Sequence, residues 1–242
     1  MTEQLPPAII FDMDDTILSD DEAAERCWRQ VCNDFAQRIT VCSADEMVTV
    51  IRDIRRWYWA DPDRVRDAGI DLRKARREIL SMAFDRQGLV DDPLKEEMSD
   101  VYMGLKADAV QLIPGALDTL QSLKDTGVRL GLITNGDAVG QRAKVVKAGL
   151  EPYFGSVLIA GEFGSAKPDP EIFRHTLSSL EVTPEQAWMV GDNLVADIGG
   201  AQAVGIYGIW VDWRGNGLPG NSPTVPDRTI RSIVELNPAG AG

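Results

Sequence analysis

The stretch Ala8-Ile9-Ile10-Phe11-Asp12-Met13-Asp14-Asp15-Thr16-Ile17 decides the fold. Its first four residues are a continuous apolar run, too short for a core helix and suited to a strand buried on both faces. Asp12, Asp14 and Asp15 follow at once. In an open parallel sheet, ligands bind beyond such strand ends. Four more β-type runs lie downstream, at residues 128–133, 156–160, 187–190 and 206–211. Helical stretches alternate with them at residues 116–126, 138–148, 170–180 and 195–204. Gly127, Gly149 and Gly205 follow three of these, where a left-handed closing residue is favourable. The alternation predicts βαβ units in an α/β fold with a doubly wound, Rossmann-like parallel sheet.

Residues 18–109 break that rhythm, with four amphipathic helical stretches and no strand pattern. The first spaces Ala24, Cys27, Trp28, Val31, Phe35 and Ile39 at three- and four-residue steps. The second opens with a capping box, Ser43-Ala44-Asp45-Glu46, and carries Met47, Ile51, Ile54 and Tyr58 on one stripe. The third carries Leu72, Ala75, Ile79, Ala83 and Phe84, and the fourth Leu94, Met98, Val101, Tyr102 and Leu105. Four such helices can close a small bundle. The expected organisation is a core of residues 1–17 and 110–242, interrupted by an all-helical domain at 18–109. After Asn216 the chain is rich in Gly, Pro and Ser, and residues 228–236 predict an edge strand and a final turn.

The chain has 242 residues, with 25 Lys and Arg against 38 Asp and Glu, a formal charge of −13. A hydrophobic content of 44% excludes wholesale disorder. The excess acidity argues against a nucleic-acid partner, which needs basic side chains on its phosphates. No apolar run approaches the ~20 residues that span a membrane. Residues 1–10 lack a basic segment, a long apolar stretch and a small-residue cleavage site, so no secretory signal is expected. The cysteines, Cys27, Cys32 and Cys42, are odd in number and hold no Cys-x-x-Cys pair. They read as small buried hydrophobes of a reducing cytoplasm. The single histidine, His175, sits in a predicted helix and reads as surface or packing. Acid–base chemistry therefore falls to carboxylates. No feature forces association, so a monomer or a homodimer is expected.

Each strand end offers a functional group. Asp12, Asp14, Asp15 and Thr16 follow the first, and Thr134-Asn135-Gly136-Asp137 the second. Ala166-Lys167-Pro168 lies beyond the third. Gly191-Asp192-Asn193 follows the fourth, with Asp197 five residues past Asp192. Carboxylates crowded at one buried edge repel unless a cation joins them. Hard carboxylate oxygens suit Mg²⁺, which also keeps waters and a substrate phosphate. A carboxylate beside Mg²⁺ can attack phosphorus and form an aspartyl-phosphate. A second carboxylate two residues on, on the same side of an extended segment, can protonate the leaving oxygen and then activate water. Thr134 and adjacent amides can hold phosphate oxygens, and Lys167 can balance charge.

These four clusters, in order and each at its strand end, resemble the motifs of the haloacid dehalogenase superfamily. The helical insert resembles that family's cap domain. The resemblance implies that Asp12 is the nucleophile and a Mg²⁺ ligand. It implies that Asp14 is the general acid/base and a ligand through its backbone carbonyl. Thr134 and Asn135 would bind the phosphoryl group, and Lys167 would contact both phosphate and Asp12. Asp192 would ligate the metal directly, and Asp197 through water or from behind. Asp15, Asp137 and Asn193 read as turn and cap residues.

Within the family, dehalogenases lack an acid two residues after the nucleophile and work without metal. Asp14 therefore favours a phosphatase over a 2-haloacid dehalogenase. Phosphonate hydrolases need a cap lysine, but Lys74, Lys95 and Lys106 fit charged helix faces. A phosphomutase shares all the core motifs and stays an alternative, as does a non-catalytic binding protein of the same fold. Residues 133–211 look most like phosphatases acting on N-acylneuraminate 9-phosphate and on nucleoside monophosphates. The features are Thr134-Asn135-Gly136-Asp137, Gln141-Arg142, Ala166-Lys167-Pro168 and Asp197-Ile198-Gly199-Gly200. They define a branch and leave open which small phosphorylated metabolite is the substrate.

In the insert, residues 52–86 hold ten Arg and Lys, Arg66 among them, against seven Asp and Glu, Asp67 among them. The run at 73–77 reads first as a solvated helix face with intrahelical ion pairs. The alternative is an arginine grip on the far end of a substrate. Trp57-Tyr58-Trp59 reads as packing, with a substrate lid as the alternative. Gly104 and Gly115 flank the return to the core as candidate hinges.

Overall fold

The computed structural model of the protein describes residues 4–59, 61, 63–64, 68 and 71–238. Arg66 and Asp67 lie outside the described residues, as does the Leu72 side chain. The chain divides into two compact units, residues 1–19 with 112–242, and residues 20–111.

The first unit is built on a six-stranded sheet. Its strands are β1 (Ala8–Phe11), β4 (Arg129–Thr134), β5 (Ser156–Ile159), β6 (Ala187–Gly191), β7 (Tyr207–Val211) and β8 (Arg228–Ile230). Two short strands, β2 (Leu18–Ser19) and β3 (Gln111–Leu112), mark where the chain leaves the core and returns to it. The order is β5-β4-β1-β6-β7-β8, and every pairing is parallel. The chain goes from β1 to one neighbour, β4, and only later to the other, β6. This reversal makes a switch point at the carboxyl end of β1. Register fixes what meets there. Phe11 lies opposite Leu132 on one side and Val190 on the other. The residues just past β1, β4 and β6 therefore emerge at one level.

Helices α5 (Ala116–Asp125), α6 (Ala138–Lys147), α7 (Ala160–Phe163) and α8 (Pro170–Ser179) link the strands. Residues Ile172, Phe173 and Leu177 of α8 pack with Ala8, Ile10, Ile133 and Met189 of the sheet. The expected helix at 195–204 takes another form. Leu194–Gly199 winds as a π-helix and Gly200–Gln202 as one short α-helical turn, α9. Both Asp197 and Ile198 donate their amides to the Asn193 carbonyl, while the Asn193 side chain accepts from Val195 and Ala196. A widened turn of this kind often marks a functional site. The edge strand at the chain end is β8, followed by a 3₁₀ turn at Ile233–Leu236.

The second unit is helical, with α1 (Asp21–Asp34), α2 (Ala44–Trp59), α3 (Leu72–Gln87) and α4 (Asp92–Ala109). Helix α1 packs on α2 and α4, and α3 also packs on both. The capping box forms, since Ser43 Oγ accepts from the Glu46 amide and Glu46 Oε2 accepts from the Ser43 amide. Asp71 and Asp91 cap α3 and α4 through their side chains. The apolar stripes share one core, in which Trp28 stacks on Tyr102 with centroids 3.9 Å apart. Val101 leaves the stripe for solvent, at the edge of the face that Met98 and Tyr102 bury. Gly104 lies inside α4, away from the crossing. Among the described residues, no helix is long and apolar enough to cross a membrane.

Candidate active site

Asp12 is the first residue past β1. Its amide donates to the Val190 carbonyl at 2.8 Å, which continues the ladder one step and fixes the side chain beside β6. One carboxylate oxygen from each of Asp12, Asp192 and Asp197 lies within 4.8 Å of the others. Lys167 closes this group. Its Nζ lies 2.5 Å from Asp12 Oδ1 and 2.7 Å from Asp197 Oδ1, and it donates to the Ile133 carbonyl at 2.9 Å. The π-helix is what brings Asp197 back to the strand end, where its Oδ2 accepts from the Asn193 amide at 2.9 Å. Gly191 leaves room for it. A Cβ at that position would sit 2.3 Å from Asp197 Oδ2.

Asn135 holds the lysine loop in place. Its Nδ2 donates to the Lys167 carbonyl at 2.8 Å, and its Oδ1 accepts from the Lys167 amide at 2.9 Å. Asn135 thus uses its side chain to position Lys167. Thr134, also buried, lies beside the Gln141 amide.

Asp14 has different partners. Its carboxylate oxygens lie 2.7 and 2.8 Å from Lys144 Nζ, and Gln141 Nε2 donates to it at 2.9 Å. Sequence reasoning missed Lys144 altogether, and quoted Gln141 only as part of a branch pattern. The available signal was their three-residue spacing on the helix that starts just beyond β4, which puts both on one face. The turn residues behave as such. Asp15 takes a left-handed φ of 59° and donates its amide to the Leu18 carbonyl. Asp137 caps α6, and Asn193 caps the π-helix. His175 is exposed on α8, with its ring 4.9 Å from that of Phe163.

Electrostatics mark the site as incomplete by itself. Burial, the largest effect, pushes the Asp12 carboxyl up to about 7 against the pull of Lys167, and Asp197 and Asp14 add to the rise. Asp192 is raised well above the usual carboxylate range by burial, then by Asp15, Asp12 and Asp197. For Lys167, burial favours the neutral amine, but Asp12 and Asp197 together outweigh it and hold the ammonium. Among the described residues, the ion pairs to Asp12, Asp14 and Asp197 come from two lysines, Lys144 and Lys167. With Asp192, and Asp15 acting on it, the acidic groups outnumber these two ammonium groups. An all-oxygen donor set with that excess fits a hard divalent cation. A cation there would favour the ionised form of each acid.

Fold and site together define a doubly wound α/β protein with a buried acid–lysine centre at its switch point. The family model of haloacid dehalogenase-like hydrolases matches residues 6–205. The chain belongs to that family of hydrolases. A phosphoserine phosphatase of Thermus thermophilus is 42% identical over 126 residues, which cover 52% of this chain and 49% of that protein. The chain thus matches about half the length of that relative. The N-acylneuraminate-9-phosphatase of Rattus norvegicus is 26% identical over 95% of this chain and 91% of its own. Among solved structures, the HAD-hydrolase YfnB of Bacillus subtilis, bound to magnesium, superposes with a TM-score of 0.77. It is 25% identical and covers 96% of this chain and 97% of its own.

Proposed function

We propose that the protein is a Mg²⁺-dependent phosphatase that hydrolyses the phosphate monoester of a small metabolite through an aspartyl-phosphate on Asp12. Candidate substrates are a sugar phosphate, an acylneuraminate phosphate or a nucleotide. The strongest support is one observation: the Asp12–Asp192–Asp197 cluster with Lys167 Nζ bonded to Asp12. Asp12 attacks phosphorus in line and the P–O ester bond breaks. Asp14, in its acid form, gives a proton to the leaving oxygen. It then takes a proton from the water that attacks phosphorus, and inorganic phosphate leaves Asp12 free. Thr134 and the backbone amides after β4 hold the phosphoryl oxygens, and Lys167 neutralises charge on Asp12 and the phosphate. When bound by Asp12, Asp192, Asp197 and the Asp14 carbonyl, Mg²⁺ neutralises the crowded charge.

The helical unit is the cap in this reading, and the protein is a cytoplasmic monomer or homodimer without a nucleic-acid or membrane partner. A panel of phosphate esters, assayed for released phosphate with Mg²⁺ and with EDTA, tests the proposal. Metal-independent turnover, or Asp12→Asn protein as active as wild type, refutes the mechanism. A product phosphosugar in place of free phosphate decides for a phosphomutase. Failure to bind beryllium fluoride with Mg²⁺ decides for a non-catalytic binding protein.

A further inference from the structure

The strand-end acids fall into two groups with separate partners. Asp12 and Asp197 share Lys167. Asp14 has its own lysine, since Lys144 Nζ lies within 2.8 Å of both its carboxylate oxygens. Gln141 adds a second grip. Its Nε2 lies 2.9 Å from Asp14 Oδ2, 2.6 Å from Thr134 Oγ1 and 2.9 Å from the Asn135 carbonyl. An amide nitrogen has two hydrogens, so it shares them between Asp14 and the oxygens of the phosphoryl pocket. The contacts are not those of a surface pair. The Lys144 side chain is only 10% exposed, and Gln141 is buried. Their helix is itself anchored just beyond β4, where Asp137 Oδ1 accepts from the Gly140 amide at 2.8 Å.

We propose that Lys144 is a positioning residue for Asp14, assisted by Gln141. Lys144 holds both carboxylate oxygens and so restricts a side chain that would otherwise spread over several rotamers. Gln141 ties the same carboxylate to Thr134. An acid/base group acts only within hydrogen-bond reach of the proton it moves, so this restriction sets the rate of proton transfer. The kinetic consequence rests on the phosphatase reading above, whereas the placement of Asp14 does not.

Two measurements on Lys144→Met, Lys144→Arg, Gln141→Leu and Asp14→Asn test this. The first is the crystal structure of each variant. The Asp14 carboxylate is expected to leave its position in Lys144→Met and to keep it in Lys144→Arg. An unmoved Asp14 in Lys144→Met overturns the proposal. The second is kcat/KM for two esters, since kcat/KM reports the steps up to the aspartyl-phosphate. An alkyl phosphate needs its leaving oxygen protonated, and p-nitrophenyl phosphate does not. Lys144→Met is expected to lose about 10- to 100-fold on the alkyl ester and under about 3-fold on p-nitrophenyl phosphate, the pattern of Asp14→Asn in weaker form. Gln141→Leu follows the same pattern with a smaller loss, and Lys144→Arg recovers the alkyl activity. Equal losses on both esters mean a merely structural role and overturn the proposal. If Lys144→Met does not fold, Lys144→Gln takes its place in both measurements. If the wild type hydrolyses neither ester, the phosphatase reading fails, and the Asp14 position in the crystals still decides the role of Lys144.

Discussion

Among the described residues two lysines are buried, one in each unit, and their settings differ. Lys167 in the sheet unit is 2% exposed and faces Asp12 and Asp197, with Asp192 beside them. Lys106 in the helical unit is 3% exposed and pairs with Asp20 at the root of the insert. The helical pair sets one ammonium beside one carboxylate, and Asp20 adds to the rise that burial gives the hydroxyl of Tyr102, which stacks on Trp28. The sheet cluster is unbalanced. A buried pair of opposite charges serves structure, whereas a buried group in which acids outnumber bases is poised for a ligand that supplies positive charge.

The comparison breaks most directly at Asp12. Asp12→Asn is expected to lower kcat by more than about 10⁴-fold with little change in melting temperature, since removing a nucleophile disables the whole constellation. Retained turnover would remove the functional half of the contrast. Removing metal comes next. EDTA should abolish phosphate release, and Mg²⁺ at a hundred times its Kd should add about 2.7 kcal/mol of stability. A melting temperature indifferent to Mg²⁺ would mean that the excess charge is met in another way.

The lysines can be compared one against the other. Lys106→Met takes the ammonium away from Asp20 in a partly buried site. Breaking a fully buried pair costs about 3–5 kcal/mol, and Asp20 is a fifth exposed, so about 2–4 is expected. Denaturant titration reads this loss, and kcat should stay within a few-fold. Lys167→Met breaks more deeply buried pairs, so a stability loss at least as large is expected, and unlike Lys106→Met it should also abolish activity. Equal effects of the two on kcat would erase the distinction. A smaller effect sits at Gly191→Ala, whose methyl must displace the Asp197 carboxylate. Overpacking of this kind costs about 1–3 kcal/mol, and Mg²⁺ affinity should fall with it. The smallest concerns the cysteines. Burial pushes the Cys32 thiol up to about 12, while Cys42 is only half-buried. Iodoacetamide at mild alkaline pH should label Cys42 in the native protein and spare Cys32.

The fold was legible because strand-end chemistry and hydrophobic period agree along the whole core. Ala8–Phe11 reads as a buried strand, and the alternation after residue 116 reads as parallel crossovers. The acid trio with its lysine was legible too, since Asp12 and Asp192 directly follow strands, Asp197 lies one turn further on, and Lys167 sits in the loop before a helix. The bent path at Leu194–Gly199 was not, because its sequence carries an ordinary helical pattern. What widens the turn is the Asn193 carbonyl accepting two amides, a tertiary choice that brings Asp197 to Lys167. Lys144 was hidden for a similar reason. A lysine on an amphipathic helix looks like a solvated face until the sheet shows which acid it meets. In the helical unit, the 73–77 run holds one exposed pair within its helix, Lys74 with Glu78, and one that bridges to the next helix, Arg77 with Glu96. Tyr58 is buried with its hydroxyl donating to Glu78, while Trp57 stays half-exposed under the Arg64 guanidinium.

In the proposed mechanism Asp12 carries the phosphoryl group during turnover. Rapid quench of the wild-type protein with Mg²⁺ and a substrate ester, followed by borohydride reduction and peptide mass spectrometry, tests it directly. The expected result is homoserine at residue 12, formed only when both Mg²⁺ and the ester are present. Steady phosphate release with residue 12 recovered unmodified at every quench time would contradict the account.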